Sequence, residues 1–268
     1  MDNPGYGVQP VATEPGITVT DLTVERDGFR ALYNVNFHIG PSNLVGVVGP
    51  NGAGKSTLFD AVAGILPIAR GSVELHGTKG RPGALAYVPQ RDNINLRFPA
   101  TVQDVVMMGR YCHLGLFRHA GRKDRAIVRA CLERVGLWER RDALIEENSG
   151  GQRQRVFIAR ALAQEASIIL LDEAFSGVDV GAQEGIIEVL QSLRDEGKVV
   201  MLATHDLTNL AERFDQIICI NRHICAYGPP AEAFTPAVLE ELYGSHGMVL
   251  AHTHAGGETH IETHMQNE

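Results

Sequence analysis

Gly49-Pro50-Asn51-Gly52-Ala53-Gly54-Lys55-Ser56-Thr57 follows directly on the apolar run Leu44-Val45-Gly46-Val47-Val48. A buried strand that breaks into a glycine-rich turn and then a helix aims free backbone N–H groups and the helix dipole at a phosphate chain. Glycines at 49, 52 and 54 let the backbone approach a β-phosphate without Cβ clashes, Lys55 can reach the β and γ oxygens, and Ser56 can hold Mg²⁺. The loop from Gly49 to Thr57 is therefore predicted to bind a nucleoside triphosphate. The motif alone does not say what the hydrolysis is for.

Hydrophobic residues make up 44% of the 268 positions, enough to bury a sizeable core in one α/β domain, or in one domain plus a smaller subdomain. The net charge of −8, from 24 basic and 32 acidic residues, argues against nucleic acid or an anionic membrane as a general partner. Charge is uneven along the chain: the segment from Arg110 to Arg141 is rich in Lys and Arg, whereas none occurs after Arg222. The basic segment reads as a solvated helix face rather than a lipid-headgroup contact. Cys112, Cys131, Cys219 and Cys225 lack C-x-x-C spacing and read as reduced, packed thiols of a cytosolic protein. No apolar stretch approaches the ~18 residues that span a bilayer, and residues 1–16 lack a charged-then-apolar signal, so any membrane role comes through a partner.

Alternation predicts strands at Ile17–Glu25 and Leu32–Ile39, which suggest an antiparallel β-layer. A helix with one apolar face is predicted over Lys55–Leu66, ended by Pro67. Ser72–His76 and Leu85–Val88 read as short strands around a turn-rich stretch. From Thr101 to about Glu146 the texture becomes helical, which marks an inserted subdomain. Strand signals return at Ser167–Leu171, Lys198–Ala203 and Gln216–Ile220, each after a helical stretch. Strands that alternate with helices predict a parallel sheet flanked by helices.

A second informative segment is Asn148-Ser149-Gly150-Gly151-Gln152-Arg153-Gln154-Arg155, followed by a predicted helix over Val156–Gln164 and then Ile168-Ile169-Leu170-Leu171-Asp172-Glu173. A small-residue turn that opens a helix offers a second array of free N–H groups. One domain has no obvious need for two. The apolar strand can place Asp172 in a Mg²⁺ shell and Glu173 where a carboxylate orients and deprotonates a water. An acidic pair at a strand end alone fits a solvated terminus equally well, but here it lies between a Ser-Gly-Gly-Gln helix start and Thr204-His205-Asp206.

Together these motifs resemble the nucleotide-binding subunit of an ATP-binding cassette (ABC) transporter, over about residues 17–245. The resemblance implies an α/β fold of the P-loop NTPase, ABC-type cassette: a RecA-like parallel sheet, an antiparallel β-layer, and a helical subdomain inserted at about 92–148. It maps Gln90 of Tyr87-Val88-Pro89-Gln90 onto the Q-loop, Ser149-Gly150-Gly151-Gln152 onto the signature, Asp172 and Glu173 onto Walker B, Asp179 onto the D-loop and His205 onto the switch histidine. It implies an ATPase with ATP and Mg²⁺ as cofactors, with Ser56, Gln90 and Asp172 around the metal and Glu173, His205 and Gln90 in catalysis. It also explains the second helix start. In the family two copies pair head to tail, the signature of one capping the γ-phosphate in the P-loop of the other, and drive integral membrane permease subunits at the cytoplasmic face.

Three positions depart from the family pattern: Asn148 stands where Leu is usual, Ala174 where Pro is usual, and Arg26 where an aromatic stacks on adenine. The first implies altered helix packing and the second a less firmly held Glu173. Arg26 can stack through its guanidinium plane, with Phe29 close by, or point to solvent.

The insert, with Val105-Val106-Met107-Met108-Gly109-Arg110-Tyr111 and Leu114-Gly115-Leu116-Phe117, is similar to the cassettes of manganese, zinc and iron importers that work with an extracytoplasmic metal-binding protein. Its Met/Val/Tyr stripe fits either a cleft for a permease helix or the subdomain's own core. A cassette for another substrate, or a non-transport ABC clamp, remains the alternative. The segment 246–268 is a His-rich acidic tail in which His246, His252, His254, His260 and His264 form a possible transition-metal site or a merely polar tail. Residues 1–16 read as a flexible N-terminus. His38, His76, His113, His119 and His223 are isolated in sequence and read as ordinary surface or core residues.

Overall fold

The structure, a computed structural model, describes residues 14–26, 28–78, 83–90, 99–114, 118–173, 175, 180–207, 209–244, 249–253 and 259–263. The chain opens with β1 (Gly16–Arg26) and β2 (Phe29–Ile39), an antiparallel pair, then β3 (Asn43–Val48), which runs into the glycine-rich loop and α1 (Lys55–Val62). β4 (Arg70–His76) returns to pair with β1, giving a three-stranded antiparallel layer of order β2-β1-β4. β5 (Leu85–Val88), β6 (Ile168–Asp172), β7 (Val199–Thr204), β8 (Gln216–Ile220) and β9 (Ile224–Gly228) join β3 in a six-stranded sheet. Its order is β5-β6-β7-β3-β8-β9, parallel except for the antiparallel edge strand β9.

The segment between β5 and β6 carries α2 (Val102–Met108), α3 (Arg122–Arg134) and α4 (Gly150–Ala163). α5 (Val180–Asp195) connects β6 to β7, α6 (Leu210–Arg213) connects β7 to β8, and α7 (Pro230–Ala233) and α8 (Pro236–Tyr243) follow β9. Beyond them β10 (Val249–Thr253) and β11 (Thr259–Thr263) form an antiparallel hairpin in which His252 and His260 are register partners.

The central sheet is buried on both faces, which is why its strands read as continuous apolar runs. Successive side chains go to opposite sides: Leu44 and Val48 of β3, Ile169 and Leu171 of β6, and Val200 and Leu202 of β7 pack with the helical segment and α5. Val45, Val47, Ile168, Leu170, Val199 and Met201 pack instead with α1 and the antiparallel layer. The glycine-rich loop thus leaves a strand anchored in two cores at once.

Several boundaries differ from expectation for local reasons. α1 stops at Val62, before Pro67, because Gly64 adopts φ 72 and the Gly64 N–H bonds back to Ala61 O. α4 begins at Gly150 rather than near Val156, since Ser149 caps it. β9 was not anticipated; its strand signal is short and follows the tight Asn221–His223 turn. The basic segment is not merely a solvated face. Arg110, 3% exposed, bonds Ala163 O (2.7 Å), Glu165 (2.6 Å) and Asp124 (3.1 Å), tying the end of α2 to α3 and to the end of α4. Arg129 and Arg141 both lie over the Trp138 ring, at 4.9 and 4.6 Å.

Candidate functional site

Gly49 leaves β3 where a Cβ would meet the Ile220 carbonyl oxygen at 2.2 Å, so the first loop residue can only be glycine without moving the neighbouring strand. At the other end Gly54, the N-cap of α1, has φ 98, and a Cβ there would lie 2.5 Å from Leu32 Cδ2. Lys55, the first residue of α1, is buried and donates from Nζ to Gly49 O (2.7 Å) and Pro50 O (3.1 Å). Burial lowers its pKa, while the Glu173 and Asp172 carboxylates act in the opposite direction.

β6 delivers the acids. Asp172 is 2% exposed, and burial raises its pKa against a hydrogen bond from the Ser56 side chain. Its Oδ1 has no hydrogen-bond partner. A buried carboxylate with an orphaned oxygen beside a serine hydroxyl is an oxygen donor set suited to a hard divalent cation such as Mg²⁺. Glu173, next along, takes φ 48, a left-handed conformation that costs a non-glycine residue about 1–2 kcal/mol. There it accepts a 2.6 Å hydrogen bond at Oε2 from Gln90 Nε2, from the segment after β5. The structure therefore brings Gln90 to Glu173 and Ser56 to Asp172 at the end of β6.

Ser56, Gln90 and Glu173 border a cavity of about 540 Å³, lined also by the rest of Asn51–Thr57 and by Arg26, Phe29, Arg30, Ala31 and Arg222. Arg26 and Phe29 are register partners across the β1–β2 turn, so a guanidinium and an aromatic ring stand at the same rim. Phe29 is 77% exposed, a ring available for stacking. Arg222 was missed in the sequence. It comes from the β8–β9 turn with φ 62, and is positioned by its N–H to Ala53 O (2.8 Å) and by Tyr33 N to its carbonyl (2.9 Å). No local signal marks it, because the contact joins segments far apart in the chain.

His205 lies in the exposed turn after β7, the strand whose Ala203 pairs with Asp172, and is not among the described residues lining the cavity. Neither are Ser149, Gly150, Gly151 and Gln152. Those four open α4 through a capping box: Gln152 N donates to Ser149 Oγ (3.3 Å) and Ser149 N to Gln152 Oε1 (2.9 Å). The box holds two glycines in a helix start, where their propensity is poor. Asp179, Ala174, His246, His254 and His264 lie outside the described residues.

A family model described as "ABC transporter" matches residues 32–176. The chain belongs to the ABC transporter family. The cassette is 44% identical over 231 residues to the manganese transport system ATP-binding protein MntB of Halalkalibacterium halodurans, covering 85% of this chain and 92% of that one. It is 43% identical over 255 residues to the chelated iron transport system membrane protein YfeB of Yersinia pestis, covering 92% and 84%. To the zinc transport system ATP-binding protein TroB of Treponema pallidum it is 40% identical over 238 residues, covering 87% and 88%. Among solved structures it is similar to an inward-facing metal-chelate type ABC transporter, with TM-score 0.82, 25% identity and coverage of 94% and 98%. A dimeric bacterial ABC transporter cassette gives TM-score 0.69 at 28% identity, covering 80% and 98%.

In this cassette the unusual Asn148 is a buried polar joint. Its Oδ1 accepts from Arg140 Nε (2.9 Å) and its Nδ2 donates to Leu144 O (2.7 Å), pinning the loop that feeds the signature helix. The stripe of the helical segment divides. Val105 is core and Met107 packs partly against it, whereas Met108 and Tyr111 are 38% and 58% exposed. Tyr111 and Leu114 line a small groove with Arg118 and His119. Among the described residues no helix is long and apolar enough to cross a membrane.

Proposed function

We propose that this ABC ATPase powers import of a divalent transition metal, Mn²⁺, Zn²⁺ or Fe²⁺, through partner permease subunits, working with an extracytoplasmic metal-binding protein. The relatives named for manganese, iron and zinc transport, each matched over more than four fifths of its length, support the cargo class. The observation that carries the mechanism is the separation of the Ser149–Gln152 helix start from the P-loop cavity. The positive end of a helix dipole has a phosphate-binding capacity that this copy's own cavity does not use. A second copy, docked head to tail, supplies the use: Ser149, Gly150, Gly151 and Gln152 of one cassette close on the triphosphate held by Gly49–Thr57 of the other, with Asp179 at the same interface.

Within each half-site Lys55 and the loop N–H groups bind the β- and γ-phosphates, and Arg26 with Phe29 flanks the base. Ser56, Asp172 and Gln90 are the residues that would hold Mg²⁺, which when bound neutralises phosphate charge. Glu173 orients and deprotonates the attacking water, and His205 reaches the γ-phosphate once the two copies close. The permease sits on the surface of the exposed Met108 and Tyr111 with the half-buried Leu114, the cassette lying at the cytoplasmic face of the membrane. The tail histidines, His246, His252, His254, His260 and His264, are a secondary metal-responsive element.

Uptake of labelled Mn²⁺, Zn²⁺ and Fe²⁺ by cells with and without the gene tests the cargo. Loss of uptake of one ion on deletion, restored by the wild-type gene and not by Glu173→Gln, is the expected result; equal uptake of all three in both strains overturns it.

A further inference from the structure

His223, isolated in sequence, is not isolated in the fold. Its Nε2 lies 2.9 Å from Glu241 Oε1 of α8 and 4.0 Å from Cys225 Sγ of β9, and one ligand atom from each of the three residues lies within 4.8 Å of the others. Tyr33 of β2 stacks on the imidazole, with ring centroids 5.3 Å apart, and its hydroxyl is 3.0 Å from Nδ1. An Nδ1–H donated to Tyr33 leaves the Nε2 lone pair directed at Cys225 and Glu241, the arrangement in which a metal-bound imidazole is held by an outer hydrogen bond. The chain from His223 onward contains no Lys or Arg to compete for the carboxylate.

We propose that His223, Cys225 and Glu241 form a binding site for Zn²⁺ or a similarly thiophilic divalent ion, with a fourth position open to water. One nitrogen, one sulfur and one oxygen donor suit a tetrahedral borderline ion, while the thiolate disfavours the harder Mn²⁺. Bonds of about 2.0–2.3 Å imply ligand separations of roughly 3.5 Å. The set reaches that spacing by about 1 Å of movement or less, the Cys225–His223 gap closing from 4.0 Å and the His223–Glu241 contact opening from 2.9 Å, through side-chain rotations of Cys225 and the exposed Glu241. The site lies one residue from Arg222 and therefore beside the nucleotide cavity, yet it shares no residue with the described lining.

Co²⁺ added to the full-length protein is the probe, because a thiolate ligand produces a near-ultraviolet charge-transfer band that imidazoles and carboxylates do not. The His-rich tail contains no cysteine and is silent in this readout. The band is expected in the parent and in Cys112→Ser, lost in Cys225→Ser, and bleached by one equivalent of Zn²⁺. Glu241→Gln, at an exposed position, is expected to fold normally and to bind Co²⁺ about tenfold or more weakly. A folded parent without the band, a band that survives Cys225→Ser, or unchanged Co²⁺ affinity in Glu241→Gln overturns the proposal.

Discussion

Gln90 Nε2 donates to Glu173 Oε2 across 2.6 Å, so the Glu173 carboxylate is held by a residue that follows a different strand. This tether works against the backbone freedom expected from Ala174, and it links the segment leading into the helical insert to the acid proposed as the general base. Gln90 and Glu173 therefore respond together to any movement of that segment.

Glu173→Gln keeps the size and the contact with Gln90 but removes the base. ATP binding is expected to persist, steady-state hydrolysis to fall by about 10²–10⁴-fold, and a closed dimer to accumulate with ATP. Turnover assays with size-exclusion chromatography check this, and near-normal turnover would remove Glu173 from the role of base.

Asp172→Asn separates metal affinity from stability. The folded-state pKa of Asp172 is raised, chiefly by burial, so its ionised form costs stability above that pKa, and the cost disappears as pH falls below the ordinary carboxylate value. The nucleotide-free variant is expected to be more stable than the parent at neutral pH by about 1–2 kcal/mol, with the gap narrowing on acidification. Mg²⁺-dependent nucleotide binding should be lost at the same time. Thermal melts across pH, with and without Mg·ATP, read both effects.

Gly49→Ala puts a Cβ within 2.2 Å of the Ile220 carbonyl oxygen. A loss of about 2–3 kcal/mol is expected, with weaker ATP binding as the loop shifts. Gly40→Ala, where a Cβ meets nothing within 4 Å, should leave the denaturation midpoint nearly unchanged, and equal midpoints for the two variants would contradict the close-approach reading.

Asn148→Leu restores the residue usual in the family yet strips partners from Arg140 Nε and Leu144 O. Leu144 O keeps Glu147 N at 3.1 Å, so the cost falls on the part-buried Arg140 guanidinium. Losing a hydrogen bond to a charged group costs about 1–2 kcal/mol, and this substitution toward the common residue is expected to destabilise. Urea denaturation checks it. An increase in stability would mean that apolar packing at position 148 outweighs the two hydrogen bonds.

The catalytic motifs and the sheet were legible in the chain because each is local. A P-loop needs closely spaced glycines, and a strand of the central sheet needs a contiguous apolar run, as in Leu85–Val88 and Gln216–Ile220, whose bounds agree with the structure. The helix starting at Gly150 was placed late because glycines score poorly as helix formers, and the reciprocal Ser149–Gln152 cap that overrides them is a matter of geometry.

By itself, then, the sequence determined that a strand ends in a phosphate-binding loop, that Asp172 and Glu173 end another strand, and that small residues open a second helix at Ser149–Gln152. The tertiary structure decided what stands beside these elements. Arg222 reaches the cavity through a turn ordered against Ala53 and Tyr33, Gln90 meets Glu173, and His223 meets Cys225 and Glu241. Hydrophobic periodicity records which face of an element is buried, but the pairing of polar side chains from distant segments is set by how those elements pack, and no local pattern encodes that.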